Sequence, residues 1–453
     1  MGLYQLLQQA EQKNTPVRVG LIGAGTFGTA FLAQLRLTPG MRLVGIAELD
    51  LEKAKQSCLR TGWPGEAVVV ANSASDINGA AQKGKVALTS RSDQLIQSDL
   101  DVIIEVTGIT EAGTRHAWDA FDAGKHVVMV NVETDVLLGS ALRKKADQKG
   151  LVYSLAYGDQ PAIICEMIDW ARTVGFEVVC AGKGTYYQPE FHYSTPETVW
   201  DYFGVSKEWL ASGTFNAQMY NSFLDGTKSA IEMCAVANAS GLVPQKRGLQ
   251  FPPVSADELQ NVLKPKEAGG ILEHGGTVEV LACDNRDKTP VERHLRWGVY
   301  IIFRAPTEFA RRILEHGGVV LDSSGQYAAL YHPFHLIGLE LGMSVASAAL
   351  RHEATGSASG PVADVASTAK KDLKPGDVLD GEGGYTVFGR LVQAEDSMPN
   401  GYLPIGLSRD AKVVRPVAKD ALLTYNDVEL DESQFSYRMR KTVEEDFLKQ
   451  KSK

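Results

Sequence analysis

The stretch Val19-Gly20-Leu21-Ile22-Gly23-Ala24-Gly25-Thr26-Phe27-Gly28 runs an apolar segment into three glycines spaced G-x-G-x-x-G. The spacing alone is a weak signal, and its context makes it specific. The glycines close one predicted strand and open a predicted helix at Thr26 and Phe27. An acid, Glu48, ends the next predicted strand. Gly23 then permits a tight turn, Gly25 lets a pyrophosphate approach the backbone, and Gly28 lets the helix pack close to the sheet. The helix N-terminus supplies N–H groups for phosphates. Glu48 is placed near an adenosine ribose and favours a free 2′-OH, hence NAD. Lys53 or Lys55 on the next helix would instead meet a 2′-phosphate, so the cofactor is read as NADPH or NAD(H).

Outward from this loop, strands and helices alternate to residue 157. "VRVGLIG", "MRLVGIAEL", "DVIIEVTG" and "HVVMVN" read as buried strands, with helices between them. Near-continuous apolar strands in such alternation predict an α/β fold with a parallel sheet covered on both faces. Residues 62–91 read as an elaboration on the minimal unit. Ligands bind beyond the carboxyl ends of such strands. Glu105, Thr107, Gly108, Asn131 and Glu133 are therefore expected on the nicotinamide side. Thr134 or Asp135 is expected to cap the helix that follows.

With 453 residues, the chain is too long for one core. Apolar residues at 44% and charged residues at 22% describe an ordinary globular protein. A net charge of -9 argues against nucleic-acid or polybasic membrane partners. No apolar run is long enough to span a membrane, and the first residues lack a signal-peptide core, so a cytoplasmic location is expected. The five cysteines form no C-x-x-C pair and read as reduced, buried thiols.

Beyond residue 157 the character changes. "FEVVCAGKG" is a predicted strand that ends with Lys183 between two glycines, a lysine placed to meet an anionic or carbonyl oxygen. "TYYQPEFHYSTPETVW", rich in Tyr with His192 and Trp200, reads as a cleft lining. In "NSFLDGTKSAIEM", Asp225 and Lys228 head an apolar helix, with Glu232 one turn after Lys228. A half-buried lysine held by these carboxylates is a usable acid or electrophile for a carbonyl. Lys183, Asp225, Lys228 and Glu133 are the expected catalytic groups. His332 and His335 are read as capping or core residues. No ligand spacing demands a metal, and a divalent ion on Glu133, Asp159 or Asp225 with a substrate phosphate stays open.

"EVTG", "NVETDVLLGSAL", "GDQPAIICEMIDWAR", "AGKGTYYQPEFHYSTPETVW", "NSFLDGTKSAIEM" and "LYHPFHLIGLELGMSVASA" resemble the homoserine-dehydrogenase-related family that includes the 1-deoxy-D-xylulose 5-phosphate reductoisomerase-like (DRL) enzymes. The resemblance implies an NADPH-dependent homodimer that rearranges and reduces this sugar phosphate to 2-C-methyl-D-erythritol 4-phosphate in isoprenoid synthesis. A dehydrogenase or oxidoisomerase of a four- or five-carbon sugar acid is the alternative, with homoserine dehydrogenase-like activity or a non-catalytic nucleotide sensor behind it. Homoserine dehydrogenases carry a longer acid-to-lysine motif than the Asp225-Gly226-Thr227-Lys228 found here. "ADVASTAKKDLKPGDVLDGEGGYTVFGRLVQA" resembles the β-clip SAF domain. The expected segments are therefore a dinucleotide-binding domain (1–157), a catalytic and dimerisation domain (158–355), a SAF domain (356–440) and a charged tail (441–453).

Overall fold

The computed structural model describes residues 2–203 and 216–451. The last two residues of the expected tail lie outside them. The chain divides into two compact units, Met1–Ile163 with Leu336–Ser359, and Ile164–His335 with Gly360–Lys453.

The first unit is built on seven strands: β1 (Val17–Ile22), β2 (Met41–Ala47), β3 (Val68–Val70), β4 (Val86–Thr89), β5 (Val102–Glu105), β6 (His126–Met129) and β7 (Tyr153–Leu155). They lie in the order β3-β4-β2-β1-β5-β6-β7, and every pair is parallel. This is the expected α/β architecture. The strands are apolar throughout because both faces are covered: Val19, Leu21, Ile104 and Val128 are all fully buried. The helix Thr26–Leu35 adds Phe31, Leu32 and Leu35 to the same core. Residues 62–91 prove to be more than an appendage. They supply β3, the helix Ala74–Gln82 and β4, which extend the sheet beyond β2.

The helix Gly342–Arg351 also returns to this core through Val345 and Ala346. The sequence division gave that stretch to the middle segment. Its apolar residues carry no mark of which core they join.

The second unit holds a mixed sheet of β8 (Glu177–Thr185), β9 (Thr277–Ala282), β10 (Val299–Arg304) and β11 (Tyr327–His332), ordered β11-β10-β8-β9. Only β8 and β9 run parallel. The helix Thr227–Ser240 is buried on nearly every side, consistent with its apolar run. The antiparallel hairpin of β12 (Ala363–Ala369) and β13 (Val387–Gln393) packs on it: the Thr227 hydroxyl accepts a hydrogen bond from the Gly389 N–H at 2.8 Å. The terminal helix Phe435–Lys451 is tied into the unit. Arg440, 2% exposed, donates to Asp364 at 2.5 Å and to Glu444 at 2.8 Å. Residues 441–451 are thus one continuous helix with an anchored start.

Candidate active site

The glycine-rich loop lies where the strand order departs in opposite directions from β1. Gly23 has φ +103°, and a Cβ there would press on the Val106 carbonyl beyond β5 at 3.1 Å. At Gly28 a Cβ would strike the Gly23 carbonyl at 2.8 Å, so the helix start cannot sit this close with any larger residue. Above Gly25 nothing lies within 4 Å. The first bond of the helix runs from the Thr29 N–H to the Gly25 carbonyl at 2.9 Å. The N–H groups of Thr26, Phe27 and Gly28 precede it and have no carbonyl one turn back. An open backbone beside three N–H donors fits a pyrophosphate.

Glu48 folds back onto this loop and accepts the Ala24 N–H at 2.9 Å. Lys53 pairs with the same oxygen at 3.2 Å. Burial pushes its carboxyl upward, but the Ala24 bond and Lys53 outweigh that and hold it below the ordinary value. The acid thus holds the loop, and the cation that would meet a 2′-phosphate stands beside it.

At the ends of β5 and β6 a polar cluster forms. Glu105, fully buried, accepts from the Thr107 hydroxyl at 2.5 Å and meets His116 Nδ1 at 3.2 Å, while its second oxygen has no partner. Gly108, with φ +70°, leaves open space next to it. Asn131 is 2% exposed and caps the helix Val132–Gln148: its side-chain oxygen accepts the Thr134 N–H at 3.1 Å, and its amide donates to the Ile109 carbonyl at 3.2 Å. The cap is therefore Asn131, in place of the expected Thr134 or Asp135. Glu133 sits half-buried in the first turn, where the helix dipole favours an acid. Asp135 is buried against the Tyr153 hydroxyl at 2.8 Å, and burial pushes its carboxyl up to about 7.

In the second unit two buried lysine–acid pairs form that the sequence did not indicate. Lys183 lies within β8, two residues before its end, and is 3% exposed. Its flanking glycines are required by packing, since a Cβ on Gly182 or Gly184 would overlap the Glu279 or Leu295 carbonyl. Its ammonium pairs with Glu232. Glu232 was expected to hold Lys228, one turn before it on the same helix face. Asp225, fully buried, meets Lys370 from just beyond β12 at 2.7 Å and accepts the Thr227 N–H at 2.9 Å. Lys370 also donates to the carbonyls of Ser194 and Gly384. Asp225 therefore anchors the head of the helix, with its carboxylate engaged by Lys370 and the Thr227 N–H. Lys228 is half-buried.

His192 is built into the packing. Its ring meets the Asp225 carbonyl at 2.7 Å and the Tyr187 hydroxyl at 3.0 Å, and stacks on Phe388. Burial depresses its protonation despite the Asp225 carbonyl. His332, the last residue of β11, and His335, in the loop after it, meet the backbone carbonyls of Phe334 and Trp297, and both are half-buried. Among the described residues no group of three or more His, Cys, Asp or Glu converges as a metal site, and no helix is long and apolar enough to cross a membrane. None of the five cysteines is in a disulfide, and burial pushes the Cys58 and Cys283 thiols up to about 11 and about 12.

Two residues escaped the sequence reading. Lys370 sits in "STAKKDLKPG", where a lysine pair reads as a solvated turn. Glu279 lies in the apolar strand "TVEVLACD". Its carboxylate accepts from Gln245, Gln250 and Val280 at 2.8–2.9 Å and from Phe251 at 3.3 Å, yet burial still pushes it up to about 7. A lone acid inside an apolar strand was the available signal.

Residues 23–155 match the family model of the homoserine dehydrogenase NAD binding domain, and residues 158–341 match that of the oxidoreductase DRL catalytic domain. An NAD binding domain and an oxidoreductase catalytic domain in one chain define an NAD(P)-dependent oxidoreductase. Within that class the chain combines a homoserine-dehydrogenase-type first segment with a DRL-type second one. No curated protein matches it. Among solved structures it is similar to a homoserine dehydrogenase from Thiobacillus denitrificans, at 20% identity over 52% of this chain and 51% of that one, TM-score 0.34. It is also similar to 1-deoxy-D-xylulose 5-phosphate reductoisomerase from Zymomonas mobilis in complex with NADPH, at 15% identity over 49% and 57%, TM-score 0.35. A third is myo-inositol dehydrogenase from Lactobacillus casei, at 20% identity over 41% and 50%, TM-score 0.28. The chain spans about half the length of each.

Proposed function

We propose that the protein reduces a small sugar phosphate or polyol with NAD(P)H, by a reductoisomerase-like conversion of 1-deoxy-D-xylulose 5-phosphate to 2-C-methyl-D-erythritol 4-phosphate. The observation that carries the reading is the buried Lys183–Glu232 pair on the helix face of Lys228, inside the segment that matches the DRL catalytic domain. The dinucleotide supplies the hydride. Lys228 steadies the substrate oxygen as charge develops on it and supplies the proton, and Lys183 with Glu232 fixes the local charge. Asp225 positions Lys228 by holding the helix head. Gly23, Gly25, Thr26, Phe27 and Gly28 hold the pyrophosphate, with Thr107, Gly108 and Asn131 on the nicotinamide side and Glu133 as a proton-transfer group.

We further read residues 356–440 as a SAF module, supported by the β12–β13 hairpin and the short pair β14 (Lys412–Val413) and β15 (Val428–Glu429). A homodimer is supported by the helix Glu308–His316, which buries no residue and leaves Phe309 75% exposed. The second reading, a sugar-acid dehydrogenase or oxidoisomerase, rests on the same lysines meeting a carboxylate in place of a phosphate.

The test is nicotinamide absorbance on the purified protein with both cofactors. NADPH oxidation with 1-deoxy-D-xylulose 5-phosphate, and product matching 2-C-methyl-D-erythritol 4-phosphate, is the expected result. Turnover confined to four- or five-carbon aldonates with the oxidised cofactor selects the second reading.

A further inference from the structure

The second unit has a cavity of about 220 Å³, lined by His192, Arg247, Phe251, Thr368, Phe388 and Arg390 among others. Its floor is the helix Thr227–Ser240, through Ala230 and the capping Gly226. Lys228 and Glu232 each follow one of these by two positions, roughly 200° around the helix axis. The cavity therefore lies on the opposite face from the proposed catalytic lysine.

Two features mark it as a site for a ligand. Thr368 is 1% exposed, and its hydroxyl has no hydrogen-bond partner. It stands opposite Phe388 across the β12–β13 ladder, and such cross-strand partners share a face. That face turns toward the helix head, because Phe388 stacks on His192 at 4.7 Å and Lys370, two residues past Thr368, reaches Asp225. The Thr368 hydroxyl is thus aimed into the cavity. Arg390 is the second feature: it is exposed on β13 and pairs with no carboxylate among the described residues.

The chemistry of the walls sets the ligand class. Arg390 and Arg247 contribute two guanidinium groups, the second already partnered by Glu273 at 3.2 Å. Asp420 also lines the cavity, with its carboxylate held by the Tyr193 hydroxyl at 2.8 Å. With Arg247 held by Glu273, Arg390 is the guanidinium left to meet a ligand, and one such group suits a single negative charge better than a dianion. Phe251, Phe388, Leu249 and Leu391 provide apolar walls. The volume is below the roughly 300–1,000 Å³ of sites for drug-sized molecules.

We propose that this cavity is a second ligand site that takes a small organic monocarboxylate, with its carboxylate on Arg390 and the Thr368 hydroxyl and its apolar body between Phe251 and Phe388. A planar guanidinium fork matches a carboxylate bidentately. The site lies on the opposite helix face from Lys228, and it does not depend on the proposed reaction.

Calorimetry on the full-length protein, with benzoate, isovalerate and inorganic phosphate as probes, tests this directly. The expected result is one saturable site for a carboxylate, weakened roughly 10- to 100-fold by Arg390→Met and by Thr368→Val, as loss of one charge-assisted or buried hydrogen bond implies. Lys228→Ala leaves it unchanged. Arg390 is exposed and Thr368→Val conserves shape, so both variants retain the fold, which thermal unfolding checks. The proposal is overturned by no saturable carboxylate binding, by binding undiminished in either variant, by a preference for phosphate, or by equal loss in Lys228→Ala.

Discussion

The glycine loop of the first unit and the acid–lysine cluster of the second are both built from few residues, but their partners lie at different distances along the chain. The loop is complete within Gly23–Gly28, with Glu48 reaching Ala24 from 24 positions away. In the cluster, Lys183 meets Glu232 across 49 positions and Asp225 meets Lys370 across 145. The first site is made by backbone that any strand–turn–helix of this sequence would form. The second depends on the register of β8 and on a hairpin that arrives late in the chain. Disrupting the loop should cost binding and spare the fold, whereas disrupting the cluster should cost the fold as well.

The largest effect belongs to Gly25→Val. A Cβ there meets nothing in the protein, so the melting temperature should hold while the side chain fills the approach of the pyrophosphate. Calorimetry should find no NAD(P)H binding, and unchanged affinity in the folded variant would move the cofactor elsewhere. Lys183→Ala comes next. It strands Glu232 in the interior, and loss of one partner of a buried pair costs about 3–5 kcal/mol. Denaturant unfolding should show that loss, largely recovered in Lys183→Ala/Glu232→Leu. A single variant as stable as the wild type would mean that the pair is not buried.

A buried acid without a lysine sharpens the contrast. Asp225 and Glu232 have ammonium partners, whereas Asp135 has only the Tyr153 hydroxyl among the described residues. Its carboxyl is raised from 3.8 to about 7, so the folded chain holds more protons than the unfolded chain between those values. Stability then falls as pH rises through that window. Asp135→Asn should remove this share of the fall, on the order of 2–4 kcal/mol, with the variant's advantage present near pH 8 and absent near pH 4. Parallel melting curves at every pH would show that Asp135 is solvated. The smallest effect is Glu48→Ser. Removing the carboxylate leaves Lys53 to face a 2′-phosphate, and the kcat/KM ratio of NADPH to NADH should rise about tenfold. An unchanged ratio would mean that Glu48 serves the Ala24 N–H alone.

The same contrast explains how much the sequence revealed. The parallel sheet, the glycine loop and the helix after Asp225 were legible because apolar runs, Gly spacing and capping are local. The strands β3 and β4 were missed because "VVV" and "VALT" are too short to stand out from the polar stretch around them. Lys183, Asp225 and Glu232 stood out in the sequence as charges set in apolar or glycine-rich surroundings, whereas the Lys183–Glu232 and Asp225–Lys370 pairs did not. Helical i,i+4 spacing offered Lys228 to Glu232, and nothing in the sequence near Lys370 showed that β12 would carry it to Asp225. The anchored terminal helix was equally hidden, since Arg440 in "SYRMRKTVEED" looks like any surface arginine until Asp364 is brought beside it.

The central claim is that Lys228 carries chemistry while Lys183 and Asp225 hold it in place. Steady-state kinetics of Lys228→Ala beside its thermal unfolding, on whichever substrate turns over, tests it most directly. The account predicts kcat lower by on the order of 100- to 1000-fold, about 3–4 kcal/mol, with NAD(P)H affinity and melting temperature close to wild type. A normal kcat in a folded protein of lowered melting temperature would contradict it and leave Lys228 a structural residue.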